Sequence, residues 1–350
     1  MPYAPTRFIL EVILFIPSII FLLIYYLRVF IYKCGIIRPK KLNAKVISVG
    51  NITLGGTGKT PLVLYLALEF KKRGENVAIL TRGYKRRYKK QIDLLGEKSN
   101  FSRKEVGDEP YLLAQELLSV PVIINKNRFK GGTFALAKYQ SEIFLLDDGF
   151  QHWKLARDLD IVVLDSLNPF GKGMLFPAGY LREPASSLKR ADVLVLNKSD
   201  CVFNKENILN LLNKYNPNAL VVESVYRVAS IHNLLDSSPV EIDSVKGKKA
   251  LAFSGIANPV SFEKTLEGIG IKISKHLKFS DHYPYQERDL EKIEDEGINL
   301  GADFVLTTEK DMVRISPLGE SKVPIYWVKI ELKIARGEKE LWDLIKEKIR

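Results

Sequence analysis

Gly55, Gly56, Thr57, Gly58, Lys59 and Thr60 follow an apolar run, Val46-Ile47-Ser48-Val49, by only a few residues. A glycine-rich turn of this kind can wrap backbone N–H groups around a phosphate, at the positive end of the helix that it opens. In that chemistry Lys59 reaches the β- and γ-phosphates and the Thr60 hydroxyl binds Mg²⁺. Thr53, Leu54 and residues 55–58 then line the nucleotide. Pro61 falls in the first helical turn, where a missing N–H costs nothing. One residue departs from the G-x-x-x-x-G-K-[ST] pattern: Thr53 stands where its first glycine belongs, so Gly55 and Gly56 must supply the freedom of the turn. A phosphate-binding loop also needs a carboxylate at the end of a neighbouring strand. Asp147 and Asp148 close the apolar run Ile143-Phe144-Leu145-Leu146, and spacing alone does not choose between them.

Several other polar groups stand at strand ends. Asn197-Lys198-Ser199-Asp200 follows an apolar run and matches the N-K-x-D pattern that reads guanine, although four residues with one free position are a weak signal. Arg82, Lys85, Arg86, Arg87, Lys89 and Lys90 make the densest basic stretch, suited to a phosphate or to anionic headgroups, or else a solvated loop. Arg128 and Arg182 are further candidates for phosphate contact, with surface ion pairing as the competing role. Asp108, just before Glu109-Pro110, has the position of a helix cap. His282, in Asp281-His282-Tyr283-Pro284, reads by itself as part of a turn.

Short runs rich in Val, Ile and Leu must place these groups. Strands are expected over 45–49, 76–80, 121–124, 143–146, 160–164 and 192–196, with helix-length segments between them. That alternation implies an α/β fold: a parallel sheet of P-loop NTPase type, helices on both faces, with a second, smaller α/β domain. The second series of strands is expected over 249–253, 271–277, 304–306 and 324–328. The domain reading is a membrane-associating helix over 1–43, a kinase domain over 44–225, a second α/β domain over 226–329, and a C-terminal helix over 330–350 that docks back on the first domain.

The excess of 53 Lys and Arg over 41 Asp and Glu gives a net charge of +12, which asks for an anionic partner. No nucleic-acid-binding motif accompanies it, which leaves an anionic membrane or a phosphorylated substrate. Cys34 and Cys201 have no metal-ligand spacing and no disulfide framework, which fits a reducing compartment. From Val12 to Leu27 only Pro17 and Ser18 are not apolar, and Glu11 and Arg28 bound the run. As a helix it would extend about 24 Å, short of the roughly 30 Å hydrocarbon core. A monotopic or shallowly inserted anchor is the preferred reading and a full span the runner-up. The following Lys33, Arg38, Lys40, Lys41 and Lys45 suit the cytoplasmic side of a bilayer.

Taken in order, the motifs resemble the tetraacyldisaccharide 4′-kinase family, the lipid A 4′-kinases of Gram-negative bacteria. They are Val49 to Pro61, Arg82-Gly83-Tyr84, Gly107 to Pro110, Asp147 to His152, Pro177-Ala178-Gly179, Leu181 to Pro184, Phe279 to His282 and Thr308 to Asp311. The resemblance implies a lipid kinase that moves the γ-phosphoryl of ATP, with Mg²⁺, to the 4′-hydroxyl of a tetraacyldisaccharide 1-phosphate. The product would be lipid IVA, made on the cytoplasmic face of the inner membrane. By resemblance Asp108 is the base, with His282 as its partner and Lys59 as the third catalytic group. Thr60 and Asp148 hold the metal, joined by Glu183, and Arg82, Arg86, Arg128, Gln151, His152 and Arg182 meet the substrate. Thr53 is usual in this family, whereas Lys85, Tyr180 and Tyr283 replace residues common there. The alternative of another class is a membrane-associated GTPase or ATPase switch that uses residues 197–200 for guanine.

Overall fold

The computed structural model describes residues 5–84, 86–96, 101–256, 258–281, 283–315 and 321–349. They form two compact units, Met1–Ser224 with Ile334–Arg350, and Val225–Lys333.

The first unit opens with the helix α1 (Pro5–Lys33) and continues through β1 (Lys45–Gly50), α2 (Lys59–Lys72), β2 (Val77–Thr81) and β3 (Ile92–Leu94). Then come α3 (Arg103–Val106), α4 (Asp108–Glu116), β4 (Val122–Ile124), α5 (Arg128–Tyr139), β5 (Ile143–Asp147), β6 (Leu159–Asp165), β7 (Val193–Asn197), α6 (Lys205–Tyr215) and the start of β8 (Leu220–Asn233). The strand order is β3-β4-β2-β5-β1-β6-β7-β8, and every pairing but that of β3 with β4 is parallel. Strands β2, β5 and β7 are buried along their whole length, as expected of a parallel sheet covered on both faces. Phe144, Leu146, Leu80 and Ala135 form one cluster on a face of this sheet, and Ile52, Phe150, Val162 and Leu194 form a second beside it on the same face. Because β1 lies between β5 and β6, the loop leaving it emerges where chain connections diverge to either side. Open α/β sheets bind ligands at such a place.

The six strands expected in this unit are present, and β3 and the long β8 are additions. Glu223, Tyr226, Arg227 and His232 interrupt the apolar pattern of β8, so composition did not mark it as a buried strand. The chain leaves the first unit within β8, at Ser224. The second unit holds the rest of β8, β9 (Pro239–Val240), α7 (Ile242–Val245), β10 (Lys249–Ser254), α8 (Pro259–Glu267), β11 (Lys272–Lys278), α9 (Glu287–Asn299), β12 (Phe304–Thr308), α10 (Glu309–Met312) and most of β13 (Ile325–Arg336). Its parallel pairs run β11-β10-β12-β13 around Ala252, Phe253, Phe262, Leu290 and Leu306. The polar stretch 236–248 becomes β9, α7 and the turns beside them.

α11 (Glu338–Ile349) belongs to the first unit. Leu341, Trp342 and Ile345 are its buried residues. The Trp342 ring meets Phe70 of α2 edge-on at 5.2 Å and carries the Arg73 guanidinium 4.0 Å above it, while Tyr65 of α2 donates to Glu338 at 2.5 Å.

α1 is no core helix. From Leu14 to Lys33 it is long and apolar enough to cross a membrane, and only 6% of it is buried. Ser18, Phe21, Tyr25, Arg28 and Tyr32 recur at helical spacing on the covered side, while Ile16, Ile19, Leu23, Leu27 and Phe30 are exposed.

Candidate active site

The chain leaves β1 at Gly50, where a Cβ would come within 2.5 Å of the Phe150 Cβ, so only glycine lets the loop after β5 approach this closely. Asn51 follows, wholly buried, and its Nδ2 donates to Thr57 Oγ1 at 3.1 Å. Thr53 bridges to Leu181, and the backbone N–H of Arg182 donates to Ile52 O at 2.7 Å, so the segment around 181 is bound to this loop. Gly55 and Gly58 both have φ near 101°, a conformation that L side chains rarely adopt. Gly58 caps α2, and Lys59 and Thr60 are that helix's first residues, with its positive end toward the loop. The turn is therefore shaped by two left-handed glycines, and Thr53 occupies a position that needs none.

The acid pair closes the other side. Asp147 ends β5 and is 1% exposed; its Oδ2 accepts from Thr81 Oγ1 at 3.0 Å and its Oδ1 has no hydrogen-bond partner among the described residues. Burial pushes this carboxyl up to about 7, helped by the negative charges of Glu109 and Asp148 and opposed by Lys59 and Thr81. Asp148, at φ 51°, turns out of the strand. Arg182 holds it with two nitrogens, Nη1 to Oδ1 at 2.7 Å and Nη2 to Oδ2 at 3.2 Å, and Lys59 Nζ lies 3.7 Å from Oδ1. Burial raises the Asp148 pKa, but Lys59, Arg182 and Arg128 outweigh it and keep the carboxyl below its ordinary value. Adjacent aspartates thus sit in opposite environments, which spacing did not distinguish.

Several residues assigned to substrate from the sequence take other positions. Arg128 is 3% exposed and donates to Asn125 O at 2.9 Å and Asp147 O at 3.4 Å, so it serves as an internal countercharge to the acid pair. Burial lowers its pKa to about 10, with Asp147 and Asp148 opposing and Arg82 and Arg86 adding to the fall. Arg86 is 4% exposed and donates to Ile124 O and Lys89 O, both at 3.3 Å; it fastens the basic loop from inside rather than facing a headgroup. Arg82 remains exposed. Gln151 donates from Nε2 to Asn51 O at 2.8 Å and keeps Oε1 without a partner. His152 is half-buried, and burial lowers its pKa to about 4, aided by Arg128, Arg157, Lys154 and Arg28.

Glu183 is 2% exposed and pairs with Arg190, leaving Oε1 without a hydrogen-bond partner. No sequence signal pointed to Arg190, whose guanidinium also lies 4.2 Å above Phe150 and 4.3 Å above Trp153. Asp108 is exposed and is the first residue of α4; the cap is Gly107, at φ 98°, so Asp108 is not the helix cap. A Cβ on Gly107 would meet Tyr84 O at 2.9 Å, which packs the start of α4 against the Arg82-Gly83-Tyr84 turn. His282 and Lys85 lie outside the described residues.

Asn197, fully buried, donates from Nδ2 to Thr57 O at 2.9 Å and accepts at Oδ1 from Ser224 Oγ at 3.0 Å. Lys198 turns its ammonium to Asp165. This motif therefore braces the phosphate loop from behind.

A cavity of about 350 Å³ opens beside the loop, lined by Phe21, Tyr25, Leu54, Gln151, Phe176 and Arg182 among others. A larger one, about 910 Å³, lies around Lys45, Glu142, Ile143 and Lys346, at the ends of β1 and β5 opposite the loop, and has none of the groups above. Among the described residues, no three His, Cys, Asp or Glu side chains converge as a metal cluster. A hard cation that accompanies a nucleotide needs only one or two carboxylates, with phosphate oxygens and water completing its shell. The buried Asp147 Oδ1 is a suitable donor for it, whereas Glu183, the third metal acid expected from the sequence, forms no such cluster with the two aspartates.

A family model described as "Tetraacyldisaccharide-1-P 4'-kinase" matches residues 10–350. A tetraacyldisaccharide 4'-kinase from Halothermothrix orenii is 41% identical over 323 residues, 87% of this chain and 84% of that protein. One from Elusimicrobium minutum is 36% identical over 326 residues, 91% of this chain and 86% of the relative. Among solved structures, an "apo" form of LpxK from Aquifex aeolicus in complex with ATP superposes with a TM-score of 0.73 at 34% identity, covering 97% of this chain and 100% of that one.

Proposed function

The chain belongs to the tetraacyldisaccharide 4′-kinase family, and from that membership we propose how its residues carry the reaction. The protein is an ATP-dependent kinase of lipid A biosynthesis that phosphorylates a tetraacyldisaccharide 1-phosphate at its 4′-hydroxyl. The observation that carries the residue-level reading is the clamp of Lys59 and Arg182 on Asp148, at the mouth of a loop shaped for phosphate.

Phosphoryl transfer needs positioned reactants and cancelled charge more than covalent help. The backbone of residues 53–58 and the start of α2 cradle the β- and γ-phosphates of ATP. Lys59 swings from Asp148 to the γ-phosphoryl and balances the charge that spreads over its oxygens. Thr60 and Asp148 are the residues that would hold Mg²⁺, with Asp147 behind them. When bound, the cation neutralises phosphoryl oxygens and helps hold them in line. Asp108 accepts the proton of the acceptor hydroxyl.

Arg82 and His152 meet the sugar and phosphate side of the acceptor, and Gln151 offers Oε1 to a hydroxyl. A neutral imidazole suits that task, because it can both donate and accept. Arg182, which here holds Asp148, would be free to meet a phosphate once Asp148 takes another partner. Acyl chains lie along the exposed apolar face of α1, which rests in the interfacial zone of the bilayer as a monotopic anchor. We place the enzyme on the cytoplasmic face of the inner membrane, where Lys33, Arg38, Lys40 and Lys41 meet anionic headgroups.

A γ-³²P-ATP transfer assay with Mg²⁺ and tetraacyldisaccharide 1-phosphate in detergent micelles tests the assignment. Label should appear in the lipid, vanish with Asp108→Ala and persist in excess GTP. Full activity in Asp108→Ala would remove the proposed base. Release of label only as inorganic phosphate would favour a switch or motor, a reading that the buried, doubly bonded Asn197 already disfavours.

A further inference from the structure

α1 has more to do than touch lipid. Its covered stripe is hydrogen-bonded to the core at two places. Near the middle, Ser18 Oγ donates to Leu175 O and accepts from the N–H of Ala178, both at 3.0 Å. Farther along the helix Arg28 Nη2 donates to Gln151 O at 2.6 Å. The Arg28 guanidinium also lies 4.7 Å above the Trp153 ring, which Tyr25 and Tyr32 flank edge-on at 6.2 and 5.3 Å.

The second attachment does not end at Gln151. The Gln151 side chain donates to Asn51 O at 2.8 Å, the Asn51 side chain donates to Thr57 at 3.1 Å, and its Oδ1 accepts from Arg182 at 3.2 Å. Asn51 is wholly buried and commits its carbonyl, its amide nitrogen and its amide oxygen to this network. An unbroken series of polar contacts thus runs from a guanidinium on the apolar helix to the phosphate loop. A packed network of this kind, even with Gln151 Oε1 left open, has few alternative arrangements, so loss of one end is felt at the other.

We propose that Arg28 is a positioning residue for the phosphate loop, so that the seating of α1 on the core sets the affinity for ATP. The proposal rests on the reading of residues 53–60 as the ATP site. Its consequence is that a disturbance of α1, at the membrane or in detergent, weakens nucleotide binding as well as capture of the acylated substrate. The Ser18 attachment leads to 175–178, which reaches the loop only through the backbone bridges of Leu175 to Leu181 and Leu181 to Thr53, so it bears less on ATP.

The test is equilibrium binding of ATP to the full chain in detergent micelles with no lipid acceptor present, for the wild type, Arg28→Ala and Ser18→Ala. Arg28→Ala should raise the Kd for ATP about tenfold, the loss of one hydrogen bond from a charged donor. Ser18→Ala should change that Kd less than Arg28→Ala does, while raising the KM for lipid. An unchanged ATP Kd in Arg28→Ala, with or without a raised lipid KM, overturns the proposal and leaves Arg28 as a clip for the helix. Equal weakening of ATP binding by both variants overturns it too, since the helix as a whole would then matter rather than this contact. If Arg28→Ala does not fold, Arg28→Met carries the test. It keeps a long stem against Trp153 but has no donor for Gln151 O, and wild-type ATP affinity in that variant rejects the idea. A wild type that binds no ATP overturns the inference and the reading beneath it together.

Discussion

Replacing Asp147 by Asn should make the metal-free protein more stable and the enzyme far less active. In the folded chain this carboxyl is 1% exposed, has one oxygen without a partner, and is pushed up to about 7 by burial and by Glu109 and Asp148. Unfolded, it titrates near 4. Between these values the folded state keeps a proton that the unfolded chain has released, so the Asp147 contribution to stability falls as pH rises from about 4 to about 7 and is flat above. At about 1.36 kcal/mol per pH unit the ionised group costs the fold on the order of 2–4 kcal/mol at pH 8. The Asp147→Asn change keeps the shape and the acceptor for Thr81, and removes the charge.

Urea unfolding of both proteins, from pH 4.5 to 8 in the presence of a chelator, checks this. The two curves should converge at the acid end and separate by about 2 kcal/mol or more at pH 8, with the Asp147→Asn variant the more stable. Transfer activity should fall by about a hundredfold or more, as for other losses of a charge that acts on the reacting groups. Identical pH slopes for the two proteins would falsify the electrostatic account, whatever happened to activity. Wild-type activity in Asp147→Asn would show instead that the buried acid is structural.

Three further outcomes follow from particular contacts. Arg190→Ala leaves Glu183 buried without its partner and should cost about 3–5 kcal/mol, much of it recovered in the Arg190→Met, Glu183→Gln pair, as read by urea unfolding. Burial and four nearby cations lower the pKa of His152 to about 4, so its stabilising effect is present above pH 6.5 and lost as pH falls toward 4. His152→Gln should therefore flatten the acid side of the stability curve by about 1–2 kcal/mol, after allowance for its partial exposure. Asn197→Ala should weaken ATP binding about tenfold without altering the ratio of ATP to GTP affinity, since the residue supports the loop rather than reads a base. A changed ratio in competition binding would return it to the base.

Much of this protein could be read locally. The phosphate loop announces itself because its requirements, left-handed glycines and a helix start directly after a strand, are met within a short contiguous stretch. The fully buried strands are equally legible, since a parallel sheet covered on both faces demands unbroken Val, Ile and Leu. β8 escaped because Glu, Arg and His interrupt its pattern. The family was legible for a different reason, the order of several short motifs along one chain.

Tertiary structure alone decided how the individual charges are used. Asp147 and Asp148 are chemically the same and adjacent, yet one is walled in beneath Thr81 and the other is turned out to Lys59 and Arg182. Arg82 and Arg86 stand in one basic run, but only the first faces solvent. The partner of Glu183 is a residue that no motif marked, and Asn197 supports a loop 140 residues away. Sequence therefore determined which elements form and where phosphate can be held, because those depend on local spacing and backbone freedom. The protonation, pairing and burial of each site group depend on the dielectric and the neighbours that distant segments bring, and those exist only once the chain has folded.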